Sequence, residues 1–108
     1  MSVPRFGDIY LIDSPGGAPE PRLIVSSDFH LAVQPDIVLT VLLYPAELVP
    51  EAWRSVPVDL PPERGGPQRA LLDRVFATTR DRLGEHLTSL DQDVIHDARS
   101  ALAKIFLG

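Results

Sequence analysis

The chain has no cysteine, which excludes disulfide frameworks, thiolate nucleophiles and the usual cysteine-based zinc sites. That absence fits a reducing compartment, and cytoplasm is the expected location. Lysine is nearly missing as well, since Lys104 is the only Lys among ten basic residues. The longest uncharged run, Ile37 to Ala46, is about half the roughly 20 residues a helix needs to cross a bilayer. Met1 to Tyr10 lacks the apolar stretch of a signal peptide, so a soluble protein with no membrane partner is expected. Proline does not occur after Pro67, and Gly84 is the only glycine between Pro67 and Gly108. Because Pro and Gly punctuate strands and interrupt helices, the first two thirds should be strand and loop and the end mainly helix.

What remains suits one ordinary domain of 108 residues, large enough to bury a core without covalent staples. The net charge of −5 gives no general attraction to nucleic acid or anionic membrane. Its distribution is uneven, however. Residues 1–67 carry four Arg against nine acids, whereas residues 68–108 carry six charges of each sign. Arg64, Arg69, Arg74, Arg80 and Arg82 follow one another closely and form the one basic segment. Arg rather than Lys suits bidentate phosphate recognition.

Five strands are expected, at Asp8–Ile12, Leu23–Ser26, Ile37–Tyr44, Ser55–Leu60 and Ala70–Phe76. The third is the central buried one, and Pro57 marks the fourth as an edge because it cannot donate to a ladder. A short helical turn is expected around Asp81–Leu87. The final helix is the clearest element. Leu90, Val94, Ala98, Ala101, Leu102 and Ile105 fall on one face, and Ser89 with Gln92 fits a capping box.

Catalytic motifs of the common kinds are missing. There is no Walker loop, dinucleotide-binding glycine pattern, Ser-His-Asp order or metal-spaced pair of histidines, since His86 and His96 lie ten residues apart. Asp91, Asp93 and Asp97 read as a solvated face that complements the helix dipole. Trp53 beside Arg54 is a candidate base-stacking pair, or simply an aromatic covering a loop.

Four stretches, taken in order, resemble the MazF/PemK (Kid) toxins: Gly7-Asp8-Ile9-Tyr10, Pro21-Arg22-Leu23-Ile24-Val25-Ser26-Ser27-Asp28, the run Leu71 to Leu83, and Leu87-Thr88-Ser89-Leu90-Asp91. The resemblance covers nearly the whole chain, residues 1–108, as one toxin domain. It implies a mainly β fold, a compact SH3-like barrel or twisted antiparallel sheet of the MazF/CcdB type with a C-terminal helix. It also implies a metal-independent endoribonuclease on single-stranded RNA that needs no cofactor, acts as a homodimer and is neutralised by a cognate antitoxin. Leu102, Ile105 and Phe106 are the apolar positions expected to serve the dimer. The antitoxin's acidic tail is expected over Arg64 to Arg82.

The family's chemistry needs a base for the 2′-hydroxyl proton and a cation or donor for the phosphate. It uses an Arg just before the Pro of the second strand and a hydroxyl residue ending the third. In this chain Glu20 precedes Pro21, Tyr44 ends the third strand, and Arg74 and Phe76 occupy the usual Gln and Arg positions of the fifth segment. Arg22, two residues beyond Glu20 and on the same strand face, is the substitute cation. The candidate catalytic set is therefore Arg22, Tyr44 and Glu20, with Arg64, Arg69, Arg74, Arg80 and Arg82 as RNA-binding candidates. Two alternatives accompany this reading. One is a catalytically inactive relative kept for binding. The other is a DNA gyrase poison similar to the CcdB toxins, on the strength of the terminal Phe106-Leu107-Gly108.

Overall fold

The structure is a computed structural model that describes residues 3–107, without the side chains of Phe106 and Leu107. Six strands form one antiparallel sheet: β1 (Asp8–Ile12), β2 (Glu20–Ile24), β3 (Ile37–Pro45), β4 (Ser55–Asp59), β5 (Pro67–Thr79) and β6 (Leu83–Ser89), in the order β4-β5-β3-β2-β1-β6. A short helix α1 (Asp28–Val33) follows β2, and α2 (Gln92–Leu107) ends the chain. The expected fold class, mainly β with a C-terminal helix, is what the chain adopts.

The first five strands lie where the sequence puts them, with shifted ends. Glu20 and Pro21 belong to β2 rather than to the preceding loop, and β5 extends three residues beyond Ala70–Phe76 at each end. Pro57 stands on edge strand β4, as its missing N–H requires. Two expectations are corrected. The helical turn expected over Asp81–Leu87 is only a 3₁₀ turn at Arg80–Arg82, and most of that segment is β6. Ser89 does not cap α2. The carbonyl of Asp91 accepts the first helical bond, from Ile95 N–H at 2.9 Å, so Asp91 takes the capping position while Ser89 ends β6.

The strand pleat divides the core between two faces. On one, Ile9, Leu23, Val41, Val56, Val58, Ala70 and Leu72 meet Ile95 and Ala98 of α2. Each large apolar side chain fully buried there contributes about 1.5–3 kcal/mol. Leu102 and Ile105 pack on this same cluster. They cover their own sheet and stay partly exposed, and the side chain of Phe106 lies outside the described part. On the other face, Tyr10, Ile12, Ile24 and Val38 pack with Leu31 of α1 and Leu83. α1 begins at Ser27, whose Oγ accepts from His30 N–H at 3.0 Å.

Strand β5 bends in its middle. Its register on β3 jumps from Val41↔Val75 to Leu43↔Ala70, so five residues of β5 are spent against two of β3. Before the bulge β5 pairs with β3 on one side and β4 on the other, and past it β5 continues on β3.

Candidate active site

Glu20 and Arg22 alternate onto the face of β2 that points away from α2. Arg22 Nε donates to Glu20 Oε1 at 3.1 Å and Nη2 donates to the same oxygen. The third bond reaches across the sheet, from Nη1 to Thr40 Oγ1 at 3.5 Å. Arg22's side chain is only 16% exposed and that of Glu20 is 45% exposed. The guanidinium is thus held in place while the carboxylate opens to solvent. A guanidinium has five N–H donors, and these three contacts leave two of them for a further acceptor.

Thr40 is fully buried and spends its own proton elsewhere, donating to the Phe76 carbonyl at 3.4 Å and lying 3.2 Å from Thr78 Oγ1. It fixes Arg22 without facing the solvent. The sequence reading missed it, although a lone hydroxyl inside the apolar run Ile37 to Leu43 was a signal. Phe76 was named only as a departure from the family pattern. Its ring lies beside the site, with Arg22 Cζ 5.4 Å from the ring centroid.

Tyr44 is half-buried on β3 opposite Arg69. Arg22 pairs with Leu42 and Thr40 pairs with Ile24, so alternation puts Tyr44 on the Arg22 face, one position further toward Glu20. Its hydroxyl has no hydrogen bond among the described residues, so Tyr44 is near the pair but not joined to it.

The five other arginines do not form one patch. Arg64 pairs with Glu85 of β6 at 2.7 Å. Arg69 donates to Ser55 Oγ at 2.6 Å, and Arg74 lies over the Trp53 ring, with Cζ 4.8 Å from its centroid. Arg80 and Arg82 sit past the far end of β5, donating to the carbonyls of Pro35 and Asp13. Neighbours in sequence are pulled apart because an extended strand advances about 3.3 Å per residue. Trp53 therefore finds Arg74 rather than the adjacent Arg54.

A cluster of Asp8, His86 and Ser89 joins β1 to β6. Ser89 Oγ donates to Asp8 Oδ1 at 2.7 Å, and His86 Nε2 lies 2.9 Å from the Thr88 carbonyl and 3.0 Å from Ser89 Oγ. A carbonyl only accepts, so Nε2 carries the hydrogen and cannot take the serine proton. The cluster is a clasp, further held by stacking of His86 on Tyr10 at 4.9 Å. Among the described residues no group of three or more His, Cys, Asp or Glu is placed to hold a metal ion, and no helix is long and apolar enough to cross a membrane.

An antiparallel sheet backed by one C-terminal helix is an architecture shared with solved toxins. An endoribonuclease in complex with its cognate antitoxin from a Mycobacterial species superposes with a TM-score of 0.68 at 24% identity, covering 94% of this chain and 92% of that one. Mycobacterium tuberculosis toxin MazF-mt6 gives 0.72 at 17% identity over 92% and 95%. MazE–MazF from Deinococcus radiodurans gives 0.70 at 23% over 100% and 98%. Identities this low establish the fold alone. Among curated proteins none matches significantly by sequence. The sequence profile of PemK-like, MazF-like toxins of type II toxin-antitoxin systems matches residues 5–106, and the chain belongs to that family.

Proposed function

We propose that this toxin, as one domain over residues 1–108, cuts single-stranded RNA in the cytoplasm without a metal ion, works as a homodimer and is held inactive by a cognate antitoxin. The observation that carries the reading is the Glu20–Arg22 pair, an open carboxylate beside a guanidinium fixed by Thr40. Family membership supports it, as does the fold shared with an endoribonuclease solved with its antitoxin. Glu20 takes the proton of a 2′-hydroxyl, and the freed oxygen attacks the adjacent phosphorus. Arg22's two remaining N–H groups hold the phosphoryl oxygen as charge builds on it, with Tyr44 donating from the same face. The 5′-oxygen leaves with a proton from water, and a 2′,3′-cyclic phosphate remains.

Purified protein incubated with a diverse single-stranded RNA pool in EDTA should produce fragments with 2′,3′-cyclic phosphate ends, and the matching DNA should stay intact. RNA left uncut would overturn the reading in favour of an inactive relative kept for binding. A gyrase poison would instead leave RNA whole and trap gyrase on DNA.

Light scattering tests the homodimer separately. The expected mass is about twice 11.9 kDa at micromolar concentration, through an interface burying on the order of 1,600 Å². A monomeric mass there would remove the dimer from the proposal.

A further inference from the structure

Two large aromatic rings are left at the surface on the β5 side of the site. Phe76 is 45% exposed and Trp53 is 39% exposed. Scattered exposed apolar residues need no explanation, but each of these rings carries a guanidinium, Arg22 over Phe76 and Arg74 over Trp53. Strand β5 links the two pairs. Arg74 and Phe76 are two residues apart, which puts their Cα atoms about 7 Å from each other. Phe76 is on the Arg22 face, because it stands directly opposite Thr40 in the β3–β5 ladder, and Arg74 lies beside it in the bulge. The two ring–guanidinium pairs are thus neighbours along β5, Trp53 with Arg74 and Phe76 with Arg22, and this stripe ends at the Glu20 carboxylate.

The chemistry of the stripe narrows its occupant. Its two guanidiniums gather positive charge in a chain whose net charge is −5, which favours an anionic occupant at this place. Charge alone would serve any acidic partner. Exposed ring faces beside guanidinium planes add a site for flat aromatic groups, and every unpaired nucleobase presents one. Double-stranded RNA keeps its bases stacked on each other and has none to offer.

We propose that Phe76 and Trp53 form a two-base stacking platform for single-stranded RNA, holding nucleotides that flank the scissile phosphate on the β5 side of Glu20–Arg22. This rests on the reading of the protein as an RNA-cutting toxin. The platform favours substrates whose flanking bases stack strongly, and it gives Arg22 two tasks, one on the phosphate and one against the Phe76 ring.

Trp53 is the only tryptophan in the chain, so its intrinsic fluorescence reports on the platform directly. The full-length protein is titrated with a 2′-O-methyl RNA oligonucleotide, which lacks the attacking hydroxyl and is not cut. Trp53 emission should be quenched saturably, and an oligonucleotide with abasic sites at the central positions should quench it less. Phe76→Leu keeps apolar bulk without a flat ring and should weaken binding about 5-fold or more, whereas Phe76→Tyr should bind like the parent. Melting curves of both variants check that the fold is kept. RNA binding without quenching, unchanged by Phe76→Leu, overturns the platform and leaves the enzyme reading intact. Failure to bind or cut any RNA overturns both. A Trp53 signal that follows protein concentration without RNA assigns the stripe to a second copy and overturns the platform. So does a signal that only an acidic peptide produces.

Discussion

Arg22→Ala is expected to lower RNA cleavage by about 100-fold or more, the usual loss when a donor to a developing oxyanion is removed. A loss of 100-fold corresponds to about 2.7 kcal/mol of transition-state stabilisation. The fold should survive, because Glu20 is left free to solvate and Thr40 keeps its bonds to the Phe76 carbonyl and Thr78. Arg22→Lys should recover only a small part of the rate. An ammonium is a point charge that cannot span Glu20, Thr40 and a phosphate in one plane as the guanidinium fork does. Glu20→Gln separates the two roles, since it keeps an acceptor for Arg22 while removing the base, and it should also be nearly inactive. Thr40→Val removes only the third anchor of Arg22, so its effect should be smaller. Single-turnover rates at saturating RNA are the measurement. If Arg22→Ala cuts as fast as the parent, the site lies elsewhere on the molecule even though the activity stands.

The parts of this arrangement that the sequence revealed are those carried by local periodicity. Glu20 and Arg22 share a face because side chains in a strand repeat every two residues, and that relation needs no knowledge of the rest of the sheet. The apolar face of α2 and the edge position of Pro57 were legible for the same reason. Long-range registry was not. Thr40 reaches Arg22 only because Arg22 pairs with Leu42, and Phe76 joins them only because β5 returns against β3. The basic segment is drawn out because closeness in sequence means closeness in space in a helix, while Arg64 to Arg82 run mostly along an extended, bent strand. β6 escaped notice for a related reason. Leu-Gly-Glu-His-Leu-Thr-Ser has two apolar side chains in seven residues, and an edge strand that buries little shows little alternation. Its identity comes from its ladder to β1 and from the clasp of His86 and Ser89 with Asp8. The apparent capping box at Ser89 arose because the same hydroxyl type serves a helix cap or a strand clasp equally well.

Gly7→Ala should cost about 2–4 kcal/mol of stability, which is a large share of the 5–15 kcal/mol typical of a small domain. Two separate effects contribute. Gly7 has φ of +98°, a left-handed conformation that L side chains rarely adopt. An added Cβ would also lie 2.8 Å from both Cγ1 and Cδ1 of Ile95 on α2. The loop cannot simply retreat. Gly7 N–H donates to the Ile24 carbonyl at 2.9 Å, and the Gly7 carbonyl accepts from Leu90 N–H at 2.8 Å. One residue thus ties the entry of β1 to the end of β2 and to the approach to α2. Thermal melts should place Gly7→Ala on the order of 10 °C or more below the parent. Ile95→Ala alone should lose about 2–4 kcal/mol through the cavity it leaves. In the double variant the clash is gone and only the backbone term and the cavity remain, so the combined loss should fall short of the sum by about 1 kcal/mol or more. Strict additivity would mean that the backbone conformation, and not contact with α2, is what requires glycine. Gly7 makes its hydrogen bonds to Ile24 and Leu90 and none to Glu20, Arg22 or Thr40. The cleavage rate of Gly7→Ala well below the melting transition should therefore match the parent's, while its melting temperature does not.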